Sequence, residues 1–332
     1  MTSPQPLEVL DVRHFSARQM RPLLEAEAAA WFDHLHWEYR SSTELLLQYL
    51  DSRILPGFVA LDRGRICGYT FCVYERQKAV IGDLYVAPDN PAPLAVAHSL
   101  ARHLLEVLEA SPEVHRIEAQ LLLFGSGQLA PAFRGFEVFP RLFLERDLRP
   151  LSLAGTAPRI GEAFELLAWT PHLYDAVAQL IHTSYQGHID SGINDQYRTL
   201  AGAQRFLHNI IRFPGCGTFD PESSWVLQHR DSGELAGTLL CSRVAPGVAH
   251  LTQLCLLPAF RAQRLGASLL DFATQRLAAK GYRALTLTVT EANYPAVQLY
   301  RSQGFTTRHR FDALVRTIPR RPAFRLSHFA TT

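Results

Sequence analysis

The sequence contains few cysteines and almost no lysine. Its five cysteines are odd in number and show no CxxC spacing, which favours reduced thiols over a disulfide framework. Lys78 and Lys280 are the only lysines, so nearly all of the positive charge is arginine. The net charge of +2 is too close to neutral to indicate a nucleic acid or a membrane surface as a partner.

Long apolar runs are also missing. No uninterrupted apolar stretch approaches the roughly 20 residues that a helix needs to span a bilayer. The six N-terminal residues lack a basic region followed by an apolar one, so we expect no signal peptide. These features predict a soluble, cytoplasmic protein. The 332 residues, 47% of them hydrophobic, are enough for two domains of ordinary size.

Three short segments recur in the same order, about half the chain apart. GYTFC at 68–72 resembles GTLLC at 237–241, 83–88 resembles 253–258, and 134–136 resembles 303–305. Solenoid repeats are far shorter than this spacing, so the repeating unit is a whole domain. We predict one domain over 1–150, a linker over 151–162 that is rich in Pro, Gly and small residues, and a second domain over 163–332.

Periodicity in the second domain predicts a mixed α/β (α+β) fold, with helices interposed between the strands of a mostly antiparallel sheet. Leucine or alanine recurs every fourth residue from Leu265 to Leu277, which is typical of an amphipathic helix. The predicted strands are Phe164–Ala168, Trp225–Gln228, Leu235–Val244, Val248–Leu257, Ala284–Thr290 and His309–Arg316. The predicted helices are Pro171–Ser184, Gln204–Ile211, Leu265–Lys280 and Tyr294–Gln303.

The turn before the helix at Leu265 carries the first chemical signal. A helix N-terminus presents unpaired backbone N–H groups and favours anions. Arg261, Gln263 and Arg264 flank these groups, and Gly266 leaves room for a phosphate to approach the backbone. Taken alone, the turn could equally be an ordinary strand-to-helix connection with exposed arginines.

A second motif downstream changes this interpretation. Residues 261–267 match a (Gln/Arg)-x-x-Gly-x-(Gly/Ala) loop, and 293–305 match an Asn…Ala…Leu-Tyr…Gly-Phe segment. Together they resemble the GNAT superfamily of N-acetyltransferases, strongly over Trp225–Phe311 and more weakly over Phe164–Thr218. Arg264 replaces the first glycine of the family loop, and we expect it to take helical dihedrals with its side chain pointing outward. The fold implied is two GNAT-like domains, each a mixed, mostly antiparallel sheet flanked by helices.

The resemblance implies acetyl-CoA as a co-substrate, no metal, and a role for each matched residue. The pantetheine arm would pair with the backbone at the end of the strand that precedes the 261–267 loop. The pyrophosphate would bind the loop itself. Tyr300 would be catalytic and protonate the departing thiolate, the alternative being a packing role. Asn293 would bond the pantetheine arm or serve as a plain helix cap. The cofactor-binding residues implied are Cys255, Leu256, Leu257, Arg261, Gln263, Arg264, Leu265, Gly266, Ala267 and Asn293.

In this family the segment between the first two helices covers the acceptor. Here it offers Tyr185, His188 and Asp190, with Asp195 beyond them, which could recognise a cationic amine or belong to a solvated polar loop. Metal binding by His182 and His188, or by the Asp33–His36 region, is a remote option because neither group has a complete ligand set.

The general base is not identified by sequence. Relatives often carry a carboxylate on the strand before the cofactor segment, where this chain has Thr252 and Gln253. His250 on the same strand is possible in principle.

The first domain serves as an internal control. Its counterpart of the phosphate loop, 90–97, contains two prolines, which remove N–H donors, and Phe124 and Pro131 stand where the second domain has Asn293 and Tyr300. We therefore predict a degenerate domain that binds CoA weakly or not at all. The aromatic stretch Trp31, Phe32, His36, Trp37 and Tyr39 could line the acceptor cleft or pack in a core.

The main hypothesis is an N-acetyltransferase that acts by direct attack, with one active site in the C-terminal domain and an amine of a small molecule or peptide as acceptor. One alternative is a non-catalytic acyl-CoA-binding or regulatory module, favoured by the missing carboxylate. Another is transfer of a different acyl group. Because two fused copies can replace a dimer of single domains, we expect a monomer.

Overall fold

The computed structural model describes residues 7–150, 160–213 and 215–319, and these residues form one sheet of 13 strands with helices on both faces. The predicted linker over 151–162 lies largely outside the described residues. None of the described helices is both long and apolar enough to cross a membrane.

The elements follow the predicted α/β order closely. The strands are β1 (Glu8–Asp11), β2 (Gly57–Asp62), β3 (Arg65–Glu75), β4 (Lys78–Val86), β5 (Arg116–Gln120), β6 (Glu137–Asp147), β7 (Phe164–Ala168), β8 (Thr218–Phe219), β9 (Trp225–His229), β10 (Leu235–Ala245), β11 (Val248–Leu256), β12 (Ala284–Thr290) and β13 (Thr306–Thr317). The helices are α1 (Ala17–Leu35), α2 (Arg40–Asp51), α3 (Pro93–Ala110), α4 (Tyr174–Ser184), α5 (Asp190–Ile193), α6 (Leu200–Arg212), α7 (Leu265–Ala279) and α8 (Tyr294–Ser302).

The sheet has the order β1-β2-β3-β4-β5-β13-β6-β12-β11-β10-β9-β7, and β8 pairs with β10. Two neighbouring pairs, β4–β5 and β11–β12, are parallel, and the other described pairs are antiparallel. The predicted fold class, a mixed and mostly antiparallel sheet flanked by helices, is confirmed.

The two segments of the chain exchange their last strands. Strand β6 ends the first segment and pairs with β12 of the second, from Asp147 opposite Ala284 to Arg141 opposite Thr290. Strand β13 ends the second segment and pairs with β5 of the first. The division at 1–150 and 163–332 stays a prediction about chain segments, because each segment completes the other half of the sheet.

Apolar helix faces cover the sheet on both sides. In the second half, Leu269, Ala273 and Leu277 of α7 are fully buried, as their spacing predicts. In the first half, Leu100 and Leu108 of α3 are equally inaccessible. Full burial of a leucine side chain contributes roughly 1.5–3 kcal/mol, so these stripes hold the helices on the sheet.

The aromatic stretch at the end of α1 packs into a core that both halves share. The Trp37 ring lies 4.8 Å from the His250 ring on β11, and Trp31 stacks on Tyr39 at 4.5 Å. Phe143 of β6 and Phe311 of β13 belong to the same cluster. Of the two sequence-based alternatives, core packing is observed for Trp31, Trp37 and Tyr39, whereas Phe32 is exposed, and the core is not that of the first domain alone.

Two carboxyl groups face each other inside the first half. Glu27 is fully inaccessible and accepts a hydrogen bond from the Tyr69 hydroxyl at 2.6 Å, and buried Asp83 accepts one from the Tyr39 hydroxyl at 3.1 Å. Burial raises the pKa of Asp83 to about 6. Burial, and then the nearby charge of Asp83, raises the pKa of Glu27 well above its usual range. The pair therefore retains a proton near neutral pH.

Replacing Glu27→Gln should reduce the pH dependence of the stability of the protein. A carboxyl whose pKa is raised by folding stabilises the fold at low pH, and that contribution is lost as pH rises through the folded-state pKa. Above pH ~6 the unfolding free energy of the wild type should fall with pH, by at most ~1.4 kcal/mol per pH unit for one proton. That of Glu27→Gln should fall less steeply, because this proton no longer contributes. Urea denaturation between pH 6 and 9 measures both.

The control is Glu25→Gln, a change at an exposed position of the same helix, which should keep the wild-type slope. Equal slopes for wild type and Glu27→Gln would contradict the assignment of the proton to this pair.

Candidate functional site

The candidate site begins where two parallel strands separate. Strand β11 pairs with β12 only from Val248 to Leu251. Beyond Leu251 it stays paired with β10, through Cys255 and Leu256, while its other edge opens. A cavity of about 750 Å³ fills this opening. Backbone groups along the free edge are available to an extended ligand, as at the edge of any sheet.

Most of the predicted cofactor-binding residues line this cavity. They are Cys255, Leu256, Arg261, Arg264, Leu265, Gly266, Ala267 and Asn293. The other two do not line it. The Leu257 N–H donates to the Ala236 carbonyl at 2.9 Å, and the exposed Gln263 amide donates to the Ala259 carbonyl at 3.2 Å.

The turn before α7 differs from the sequence prediction at Arg264. This residue lies in the left-handed region, with φ 60° and ψ 7°, and Ala262 also has φ 60°. The expectation of ordinary helical dihedrals for Arg264 was wrong. The chain must reverse direction here to aim the first N–H groups of α7 at the cavity. Glycine takes such a conformation freely, whereas another residue is strained by roughly 1–2 kcal/mol.

Arg261 has a structural partner as well as a place on the cavity wall. Its guanidinium donates to the Ser184 carbonyl at 2.6 Å and to the Leu256 carbonyl at 3.2 Å. It therefore ties the end of α4 to the end of β11.

Gly266 has space for a side chain. A Cβ there would meet Leu299 at 3.5 Å and Leu256 at 3.7 Å, which are ordinary contacts. The fold alone does not require a glycine at this position.

Helix α8 contributes Tyr300 and Asn293 to the cavity. Tyr300 is 8% exposed, and burial raises its pKa above the usual tyrosine range, so the phenol remains protonated at neutral pH. The Asn293 side chain makes no capping hydrogen bond, so the alternative of a plain helix cap was wrong. Its amide nitrogen lies 3.3 Å from Nε2 of His188.

The loop after α4 forms the opposite wall, with Tyr185, His188 and Asp190 on the cavity. The Tyr185 hydroxyl accepts from the Gln253 amide at 2.9 Å, and the Thr290 hydroxyl donates to Asp190. Burial lowers the pKa of His188, which keeps its ring neutral at neutral pH. The three predicted acceptor-site residues are thus brought together, and their roles stay predictions.

Asp195 does not line the cavity, in contrast to the expectation that it would meet the acceptor. It pairs instead with buried Lys78 of the first half, at 2.6 Å. Lys78 also pairs with Glu75 at 3.3 Å and Glu118 at 3.2 Å. Arg116 adds a hydrogen bond to the Gly192 carbonyl at 2.6 Å. Charges of the first half therefore anchor the loop that carries the acceptor-site residues.

Sequence reasoning missed two cavity residues from the first segment, Gln120 and Arg141. Arg141 reaches the cavity because β6 lies beside β12. Buried His250 also contributes to the lining, but desolvation lowers its pKa to about 3, so it is too weak a base to take a proton from an amine at neutral pH.

The first half lacks the equivalent of α8. Residues 121–135 form a series of turns where the second half has a helix that carries Asn293 and Tyr300. Helix α3 begins at Pro93, whose nitrogen carries no hydrogen. Both features agree with the loss of site residues predicted for this half.

Comparisons with known proteins agree with this geometry. Residues 192–305 match the model of the acetyltransferase (GNAT) family. A GCN5-related N-acetyltransferase from Sphaerobacter thermophilus superposes with a TM-score of 0.65 at 17% identity, covering 95% of this chain and 97% of that one. A search of curated proteins found no match.

Two further structures show the same fold. A tandem GNAT protein from the clavulanic acid biosynthesis pathway superposes with a TM-score of 0.59 at 15% identity, covering 94% of this chain and 98% of its own. An acetyltransferase from Pyrococcus horikoshii, described as putative, superposes with a TM-score of 0.53 at 13% identity. This match covers 96% of this chain and 92% of that one. Residues 192–305 therefore resemble the GNAT acetyltransferase family, and the chain as a whole shares the fold of a tandem GNAT protein.

Replacing Lys78→Met should destabilise the protein by about 3–5 kcal/mol, because three carboxylates would lose their shared buried cation. Urea denaturation at pH 7 measures the change. Arg65→Met is the matched control, since that residue forms an exposed ion pair with Asp89 and should cost less than ~1 kcal/mol. Equal effects of the two changes would contradict an anchoring role for Lys78.

Proposed function

We propose that the protein is an acyl-CoA-dependent N-acyltransferase, with acetyl-CoA as donor, a primary amine as acceptor and one active site, in the second half. One observation carries the proposal. The open edge of β11, the N-terminus of α7 and the Tyr300 phenol converge on a single cavity.

The cavity offers each part of the cofactor a suitable partner. The pyrophosphate would bind the free N–H groups of α7 at Leu265, Gly266 and Ala267. The pantetheine arm would lie along β11 as an added strand, beside the Asn293 side chain. A volume of about 750 Å³ is within the usual range for small-molecule sites.

The chemistry follows from the groups at the thioester. The amine nitrogen attacks the carbonyl carbon, the C–S bond breaks, and Tyr300 gives its proton to the departing thiolate. The Leu257 N–H points toward β10, so the alternation of peptide groups along a strand directs the Leu256 N–H into the cavity. That N–H would stabilise the oxyanion. The proton of the amine leaves to water or to the neutral ring of His188.

A specific observation supports a rival function, a non-catalytic acyl-CoA-binding module. Relatives often have a carboxylate on this strand, whereas here Gln253 is buried and bonded to Tyr185. Acetyl-CoA turnover against a panel of amines separates the two functions, because a sensor would bind the thioester without transferring the acetyl group.

Replacing Tyr300→Phe should lower kcat by roughly 10²-fold while leaving the affinity for acetyl-CoA within about twofold, because the hydroxyl acts on the leaving group rather than in binding. Steady-state kinetics and calorimetric titration measure the two quantities. Tyr294→Phe, an exposed position on the same helix, should leave both unchanged. An unaltered rate of the chemical step in Tyr300→Phe would remove Tyr300 from the mechanism.

A further inference from the structure

Arg141 is a cationic side chain from the first segment on the wall of the cavity in the second half. Strand β6 holds it directly opposite Thr290 of β12. One guanidinium nitrogen donates to the Gln120 side chain at 3.1 Å, and another lies 3.5 Å from the Thr288 hydroxyl. Its Nε–H is buried and has no partner among the described residues.

Two of the other buried cations among the described residues are neutralised by carboxylates. Lys78 contacts three carboxylates, and Arg116 pairs with Glu118. Arg141 meets only neutral oxygens within the described part of the chain. Because a buried or half-buried charge is normally paired, a guanidinium on a cavity wall that meets only neutral oxygens indicates a missing anion.

A carboxylate of the protein lies close by without neutralising Arg141. Asp190 accepts from the Thr290 hydroxyl, and Thr290 is the residue opposite Arg141 in the sheet. The two side chains form no ion pair in the described structure, so this part of the cavity wall presents a carboxylate and a guanidinium to the same ligand. An acceptor with an ammonium group and a carboxylate would satisfy both.

We infer that the acceptor is an amine that also carries a carboxylate, such as an amino acid, with that carboxylate bound by Arg141. This inference rests on the proposed function and narrows its substrate class. A guanidinium matches a carboxylate through two parallel hydrogen bonds, which a lysine cannot supply. The loop after α4 by itself indicates a cationic amine, because the sequence alone does not show that β6 lies beside this cavity.

The test compares matched acceptors with acetyl-CoA and the full chain. Each set contains a free amino acid, its carboxamide and the corresponding amine without the carboxyl group. In the wild type, kcat/KM should be roughly 10²-fold higher for the free amino acid. Arg141→Gln should abolish that preference and leave the other two acceptors within about threefold. Arg141→Lys keeps the charge but lacks the planar guanidinium. Its preference for the free amino acid should lie between those of the wild type and Arg141→Gln.

The control is Arg310→Gln on β13, an exposed residue paired with Glu291, which should keep the wild-type preference. Thermal melts of each variant exclude a folding defect. A second readout is calorimetric binding of the same three ligands to the protein saturated with CoA. Carboxylate-dependent binding that Arg141→Gln removes supports the inference even where turnover is slow.

The outcomes separate this inference from the proposed function. Transfer to all three acceptors with equal efficiency would overturn the role of Arg141 and leave acyl transfer standing. Binding of the free amino acid without transfer would overturn the enzymatic proposal and leave the carboxylate site standing. The absence of any carboxylate preference in both turnover and binding overturns the inference.

Discussion

The exchange of strands β6 and β13 is the constraint on which the rest of the structure depends. Each strand closes the sheet of the other half, so the two copies form one sheet rather than two adjoining domains. A backbone ladder of this length is fixed in register by the alternation of buried and exposed side chains. That register places Arg141 opposite Thr290, and hence on the cavity of the second half.

The two copies contribute different parts of the site. Both halves have a strand edge that opens beyond a parallel pair, β11 after Leu251 and β4 after Ile81, but the second half has the turn before α7 and the tyrosine on α8 where the first half has turns over 121–135. The first half nevertheless anchors the acceptor-site loop through Lys78 and Arg116. Its own interior contains the buried carboxyl pair Glu27 and Asp83, which retains a proton because burial raises the pKa of both groups. A copy without the cofactor motifs thus has a positive role in shaping the site.

Local features of the sequence predicted most of the helices and strands of the second half. Strict alternation fixed the bounds of β12, and the fourfold spacing predicted α7 to within one residue at its end. The motifs at 261–267 and 293–305 lie on one cavity because each is tied to a local element, a turn in one case and a helix in the other.

Other features could not be predicted from local pattern. Arg141 and Thr290 are adjacent only through the strand exchange, which no periodicity reveals. The left-handed conformation of Arg264 is imposed by the geometry of the turn against the residue's own preference. Asp195 was assigned to the acceptor because its charge was visible, but its partner Lys78 lies in the other half. For Arg141 and Asp195 a non-local contact outweighed the local signal.

The central claim is a single acyl-CoA cleft, in the second half, and calorimetric titration with acetyl-CoA tests it most directly. The account predicts one molecule bound per chain. Gly266→Val should weaken binding at least tenfold, because the added methyl groups enter the cavity wall between Leu299 and Leu256. Ala95→Val, at an exposed position in the first turn of α3, should have no effect. Binding of two molecules of acetyl-CoA per chain, or loss of binding in Ala95→Val alone, would contradict the claim of a single cleft in the second half.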